Sequence, residues 1–185
     1  METQTFSKEE KEEIIRYGLD RIKSTCTMTF VTLLMGCIFQ VFFQSIIFLV
    51  CFIVLRKYAG GYHADTQNRC YVISTAIIAV ALLAIRYMSD GSDNEIFILL
   101  QSLNFILLYF LVPVDNKNHR LEYWEKEKYG KKARVRIGCM YVLCIFLNFT
   151  AIRSIAITVG VTNLTVGGCV IVGKIKNFVL NSLQI

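Results

Sequence analysis

The chain reads as an all-α, polytopic integral membrane protein with about six transmembrane helices preceded by an N-terminal amphipathic interfacial helix. Three observations predict this. Of 185 residues, 55% are apolar and 18% charged, with one proline, a composition too apolar for a soluble domain of this size. Long runs free of formal charge alternate with short polar segments. Lysine and arginine gather in alternate polar segments, as the positive-inside rule requires of a multi-pass chain.

Residues 7–23 open with Ser7-Lys8-Glu9-Glu10, which fits a capping box, and Ile14, Ile15, Gly18, Leu19 and Ile22 then fall on one face at helical spacing. That pattern predicts an amphipathic helix lying on the bilayer. Residues 24–55 carry no charge over 32 positions. As one helix they would run about 48 Å against a hydrocarbon layer of about 30 Å. A helical hairpin is therefore expected, turning between Gly36 and Gln44. Residues 56–69 form a polar island, and further membrane helices are expected at 70–88, 96–114, 137–152 and 154–173. The loop at 115–136 holds eight lysines and arginines, the island three, whereas Arg86 to Glu95 has one arginine against three acids. With six spans the basic loops and both termini share one side, the cytoplasmic one, and the whole of 1–185 is a single membrane-embedded domain.

Net charge of +6 does not imply nucleic acid, because the basic residues lie in loops between apolar runs. No nucleic-acid partner is expected. Six of the seven cysteines, Cys26, Cys37, Cys51, Cys139, Cys144 and Cys169, lie in apolar runs, where a thiol serves as a small hydrophobe. With no C-x-x-C pair and two histidines, neither a disulfide framework, a metal nor another cofactor is expected. The acidic N-terminus is not a cleavable signal peptide.

Cys70 differs because it shares the polar island with His63. A thiol becomes a nucleophile when a histidine takes its proton and nearby positive charge favours the thiolate. Arg56 and Arg69 supply that charge. On one straight helix His63 and Cys70 would stand about 10.5 Å apart along the axis, too far for a nucleophile–base hydrogen bond. The chain must bend between them, and Gly60-Gly61 permits the bend. If Cys70 lies in the first turn of the next helix, the helix dipole favours its thiolate further.

The segment R-K-Y-A-G-G-Y-H-A at Arg56 to Ala64, with Cys70 seven residues after His63, resembles the signature of the accessory gene regulator B family. Those proteins are membrane cysteine endopeptidases of Gram-positive quorum sensing. Arg56, Gly61, His63 and Cys70 occupy the signature positions, and P-V-D-N-K-N at Pro113 to Asn118 resembles a second family feature. The chain departs from the family's usual pattern at His119-Arg120.

The resemblance implies a peptidase in the cell membrane of a Gram-positive bacterium. Its substrate would be a small precursor peptide with an amphipathic leader and an acidic tail. Cys70 would attack the bond before the tail, with His63 as base and then acid, and the precursor's own cysteine or serine would close a thiolactone or lactone ring. Candidates for orienting His63 or holding the oxyanion are Asp65, Gln67, Asn68, Asp115 and Asn116. Substrate-binding candidates are Arg56, Gly61, Arg69, Lys126, Lys128, Lys131 and Lys132. Each has a plainer reading: Arg56 as a snorkelling anchor, the loop lysines as a topology signal or a lipid-headgroup contact. His119 is a rival base. Small residues at Gly160, Gly167 and Gly168 offer a packing face for a homodimer. The alternatives from other classes are a small transporter and a non-catalytic scaffold for peptide export.

Overall fold

The computed structural model describes residues 8–61, 66–89, 94–114, 123–150 and 152–182. Among these residues the structure is all-helical: α1 Lys8–Ile38, α2 Phe42–Ala59, α3 Gln67–Met88, α4 Asn94–Leu111, α5 Tyr123–Asn148 and α6 Arg153–Ser182. Three of them, α2, α3 and α6, contain stretches long and apolar enough to cross a bilayer, and α4 carries a shorter apolar stretch at Glu95–Leu111.

Several boundaries differ from the sequence reading, α6 for one running to Ser182 rather than 173. The amphipathic segment at 7–23 and the first half of the hairpin at 24–55 form one helix, α1. No proline interrupts it and Gly18 is its single glycine before Gly36, so the helix propagates from charged into apolar sequence. Its 31 residues extend about 46 Å, beyond what the hydrocarbon layer accommodates. Similarly, the expected basic loop at 115–136 is helical from Tyr123 onward. Lysine, glutamate and arginine are good helix formers, and the Glu127–Lys131 pair, 2.7 Å apart at i,i+4, supports that first part of α5.

Contacts at the helix ends fix the direction of each helix. At one end, Ala59 and Gly60 meet Val114, the ring of Tyr58 lies 6.1 Å from that of Tyr129, and Gly61 meets the backbone of Cys169. At the other, Gln44 Nε2 donates to Ser154 Oγ at 3.0 Å and the Cys144 thiol to the Ala156 carbonyl at 3.4 Å. The start of α1 and the end of α6 therefore point toward the end that holds Cys70.

α6 is the central helix, packed against α2, α3, α4 and α5. Its apolar stretch is 67% buried, against 28% for α2 and 22% for α3. Glycines make this possible: a methyl on Gly160 would collide with Phe97 and Gln101 of α4, and one on Gly167 with Asn104. The small residues singled out for a dimer face are thus largely filled within the chain, since of the three only Gly168 has nothing within 4 Å of an added Cβ. Thr158, Thr162 and Thr165 donate their hydroxyls to Ser154, Thr158 and Val161 carbonyls at 2.7–2.8 Å. Polar side chains satisfied by their own helix are compatible with a membrane interior.

The outer surface is apolar. Phe43, Val72, Val80, Phe110, Phe149 and Phe178 are each at least 68% exposed, an arrangement suited to lipid rather than water.

At the α1–α2 turn, Gln40 has φ 59 and Gly36 packs on Ser45, whose Cβ an added methyl would approach to 2.7 Å. Gly36→Ala is therefore expected to lower stability by about 1–3 kcal/mol. Gly18→Ala, with open space around it, should be neutral or stabilise by up to about 1 kcal/mol. Thermal unfolding in mild detergent compares the two.

Candidate catalytic site

The site is built where α2 ends. Arg56 lies in the last turn of α2, and Gly60 caps that helix in the left-handed region, φ 71, its N–H donating to the Arg56 carbonyl at 3.3 Å. The Arg56 guanidinium returns the contact, Nη1 donating to the Gly60 carbonyl at 2.6 Å. Gly61, buried and also left-handed at φ 116, lies between Arg56 Nη1 and the backbone of Cys169. A Cβ there would collide with Nη1 and approach the Cys169 carbonyl oxygen to 2.8 Å. Glycine is required at 61 both by backbone conformation and by the guanidinium beside it.

The two sequence motifs meet here. Val114 N–H donates to the Ala59 carbonyl at 3.1 Å, and Gly60 pairs with Val114 in a parallel bridge. A side chain on Gly60 would collide with the Val114 carbonyl. Gly130 of α5 supports the arrangement from behind, against the Pro113 ring, where an added Cβ would come within 3.1 Å of Cδ. The P-V of the second motif thereby docks on the A-G-G of the first.

Cys70 stands in the first turn of α3. Thr66, in extended conformation, caps that helix, its hydroxyl accepting from the Arg69 N–H at 3.4 Å, while the Cys70 N–H donates to the Thr66 carbonyl at 3.0 Å. Cys70 is partly buried, with Sγ 4.0 Å from Ser74 Oγ. The charge of Arg56 lies within electrostatic reach of both the Cys70 and Cys169 thiols. Beyond Cys70, a cavity of about 770 Å³ between α3 and α6 is lined by Ile73, Ala76, Ile77, Leu164, Gly168 and Cys169, among others, with no charged side chain.

The candidate residues therefore separate. Arg56 and Gly61 are joined as one unit facing Cys70, and Arg56 makes contacts that a snorkelling anchor would not. Asn68 and Arg69 are exposed in the first turn of α3. Lys128, Lys131 and Lys132 lie on α5, where Lys131 and Lys132 are exposed, and Lys131 holds the Glu127 carboxyl below the usual carboxylate range through a hydrogen bond and its charge. Arg134 and Arg136 have structural contacts. Arg134 Nε donates to the Tyr109 carbonyl at 3.2 Å, and the Arg136 guanidinium lies 3.6 Å from the centroid of the Tyr58 ring. His63, Asp65, Asp115, Asn116 and His119, and the side chains of Gln67 and Lys126, lie outside the described residues. Two residues of the site, Cys169 and Thr66, are not singled out by sequence reasoning, whereas Val114 belongs to the second motif. The sequence carries a signal only for Thr66, a cap-forming residue directly before a helical run.

Gly61→Ala is expected to strain the backbone and displace Arg56, at a cost of about 1–3 kcal/mol, and to change the rate at which Cys70 reacts with a thiol reagent. Gly168→Ala, which meets nothing within 4 Å, should leave both thermal unfolding and labelling rate unchanged.

The accessory gene regulator B family model matches residues 1–176. The chain is 30% identical over 156 residues to a "Putative AgrB-like protein 2" of Clostridium perfringens strain 13 / Type A, covering 80% of this chain and 73% of that protein. It is 29% identical over 144 residues to a "Putative AgrB-like protein" of C. perfringens strain SM101 / Type A, covering 75% of this chain and 67% of that one. No solved structure matches it. With a family match spanning nearly its whole length, the chain belongs to the accessory gene regulator B family.

Proposed function

We propose that this protein is a membrane cysteine endopeptidase that removes the C-terminal tail of a small precursor peptide and permits its cyclisation to a quorum-sensing signal. The observation that carries this reading is Cys70 in the first turn of α3, at the bundle end where Arg56 and Gly61 converge. Family membership supplies the class of process. In the same proposal the bundle spans the membrane six times with both termini and the site cytoplasmic. A homodimer also belongs to it, with its contact outside the Gly160–Gly167 stripe that α4 fills.

His63 takes the proton from Cys70, and the thiolate attacks the carbonyl before the tail. The C–N bond breaks, His63 returns the proton to the departing amine, and the leader and central segment remain as a thioester on Cys70. The precursor's own thiol or hydroxyl then attacks that thioester, forming the ring and releasing Cys70 as thiol. Thiol-to-thiol acyl transfer is nearly thermoneutral, whereas making a thioester from an amide is uphill, so removal of the free tail draws the reaction forward. Water must be kept from the acyl enzyme, and the apolar cavity bordering Ile73 and Cys169 suits that need.

Asp65, Gln67, Asn68, Asp115 and Asn116 are proposed to orient His63 or hold the oxyanion. Arg56 and Gly61 shape the site from within, and Arg69 adds positive charge. Lys126, Lys128, Lys131 and Lys132 form an electrostatic approach for the acidic tail, and this group borders anionic lipid as well.

The test is tail release from a precursor peptide by the full chain in liposomes, followed by mass spectrometry. Wild type is expected to release the tail, Cys70→Ala to fall to background, and His63→Ala to lose about 10²–10⁴-fold. Equal processing by all three would return the chain to a transporting or scaffolding role.

A further inference from the structure

A thiolate that adds to a peptide carbonyl puts negative charge on the carbonyl oxygen, and the rate depends on a donor already aimed at where that oxygen will stand. The main chain at Cys70 is otherwise engaged. The Arg69 N–H donates to the Thr66 hydroxyl at 3.4 Å and the Cys70 N–H to the Thr66 carbonyl at 3.0 Å, so both serve the cap of α3. Nη1 of Arg56 is committed to the Gly60 carbonyl, and Asn68 and Arg69 are exposed.

Ser74 is placed differently. It follows Cys70 by one turn on the same face of α3, with Oγ 4.0 Å from Cys70 Sγ. Elsewhere in the bundle helical hydroxyls bond back to the carbonyl four residues earlier: Thr32 to Met28, Ser89 to Ile85, Ser102 to Ile98 and Thr162 to Thr158, at 2.7–2.9 Å. That is a common way to satisfy a hydroxyl away from water. The Ser74 hydroxyl turns to the Cys70 thiol, at a distance too long for a strong bond to sulfur. The distance suits another acceptor. An oxyanion lies two bonds from Sγ, and its donor, about 2.7–3.1 Å from that oxygen, stands farther from the sulfur than a direct hydrogen bond would put it.

We propose that Ser74 is a catalytic residue whose hydroxyl donates to the oxyanion formed when Cys70 attacks the precursor. The inference rests on the peptidase reading of Cys70. As the thiolate adds to the carbonyl carbon, the C=O π electrons move onto oxygen, and the Ser74 O–H bonds that oxygen while keeping its proton. Collapse restores the carbonyl and breaks the C–N bond, and the amine leaves with the proton that His63 holds. Attack on the thioester by the precursor's own thiol or hydroxyl builds the oxyanion again on the same donor, and its collapse breaks the C–S bond. One hydroxyl thus serves both steps. Ser74 is partly buried, and Ile73 and Ile77 beside it line the apolar cavity, so little solvent competes with the donor where charge develops.

The test compares wild type, Cys70→Ala, Ser74→Ala, Ser74→Val and Ser74→Thr as full chains in liposomes. It measures kcat and KM for tail release from the precursor beside the rate at which iodoacetamide alkylates Cys70, read by peptide mapping. Alkylation displaces iodide at a saturated carbon and forms no oxyanion, so it reports the thiol alone. Ser74→Ala and Ser74→Val are expected to lose about 10²–10³-fold in kcat, with KM and the alkylation rate near wild type. Ser74→Thr, which has the shape of Ser74→Val but keeps a hydroxyl, is expected to recover most of kcat. Wild-type kcat in Ser74→Ala, a Thr variant no better than the Val variant, or alkylation slowed in step with kcat overturns the role of Ser74 and leaves that of Cys70 standing. Tail release by Cys70→Ala, or none by wild type, overturns the peptidase reading and this inference with it.

Discussion

Backbone that leaves a helix inside a membrane bundle must still find hydrogen-bond partners, and the segment from Ala59 to Gly61 meets that constraint with three contacts. Gly60 N–H returns to the Arg56 carbonyl, the Arg56 side chain takes the Gly60 carbonyl, and Val114 N–H takes the Ala59 carbonyl. Without such partners the break would be costly. With them, α2 can stop at the bundle's edge and α3 can start nearby, its first turn carrying Cys70 toward Arg56.

This arrangement gives a physical reason for the residue types of the motif. Arginine is needed at 56 because one side chain must reach a backbone carbonyl while holding a permanent charge near a thiol, and its fork of donors can do both. Glycine is needed at 61 because the guanidinium and the Cys169 backbone occupy the space of a side chain. Val114 links the second motif to the first through main-chain atoms, so its side chain is free to serve the apolar cluster of Leu55, Ala59, Leu108 and Val166. The same bundle end thus combines a closed apolar interior with a charged, partly open rim.

The all-helical, membrane-embedded architecture was legible because a charge-free run of helical length can satisfy its backbone in hydrocarbon as a helix and in few other ways. Helix boundaries were less legible. Lysine and glutamate at the start of α5 and in α1 signal a polar environment, but they do not stop a helix. At the site, glycine, histidine and cysteine spacing marked the segment, and Cys70 does lie in the first turn of a helix. Arg56 supports two readings in the sequence, and its contact with Gly60, four residues away, cannot be told from a lipid-facing orientation by pattern. Cys169 looks like a buried hydrophobe in sequence, since its approach to Gly61 spans more than a hundred residues and leaves no periodic trace. The α6 glycines suggest a dimer face because packing within one chain and between two use the same small residues.

The central claim is that Cys70 is the nucleophile at the meeting point of these elements. Its most direct measurement is the intact mass of the reconstituted chain, taken during reaction with a precursor whose ring-forming residue is replaced by alanine, followed by peptide mapping. The account predicts that the chain gains the mass of the precursor without its tail, as a thioester confined to Cys70 and cleaved by hydroxylamine. Tail release with no adduct on Cys70, or an adduct on another cysteine, would contradict it.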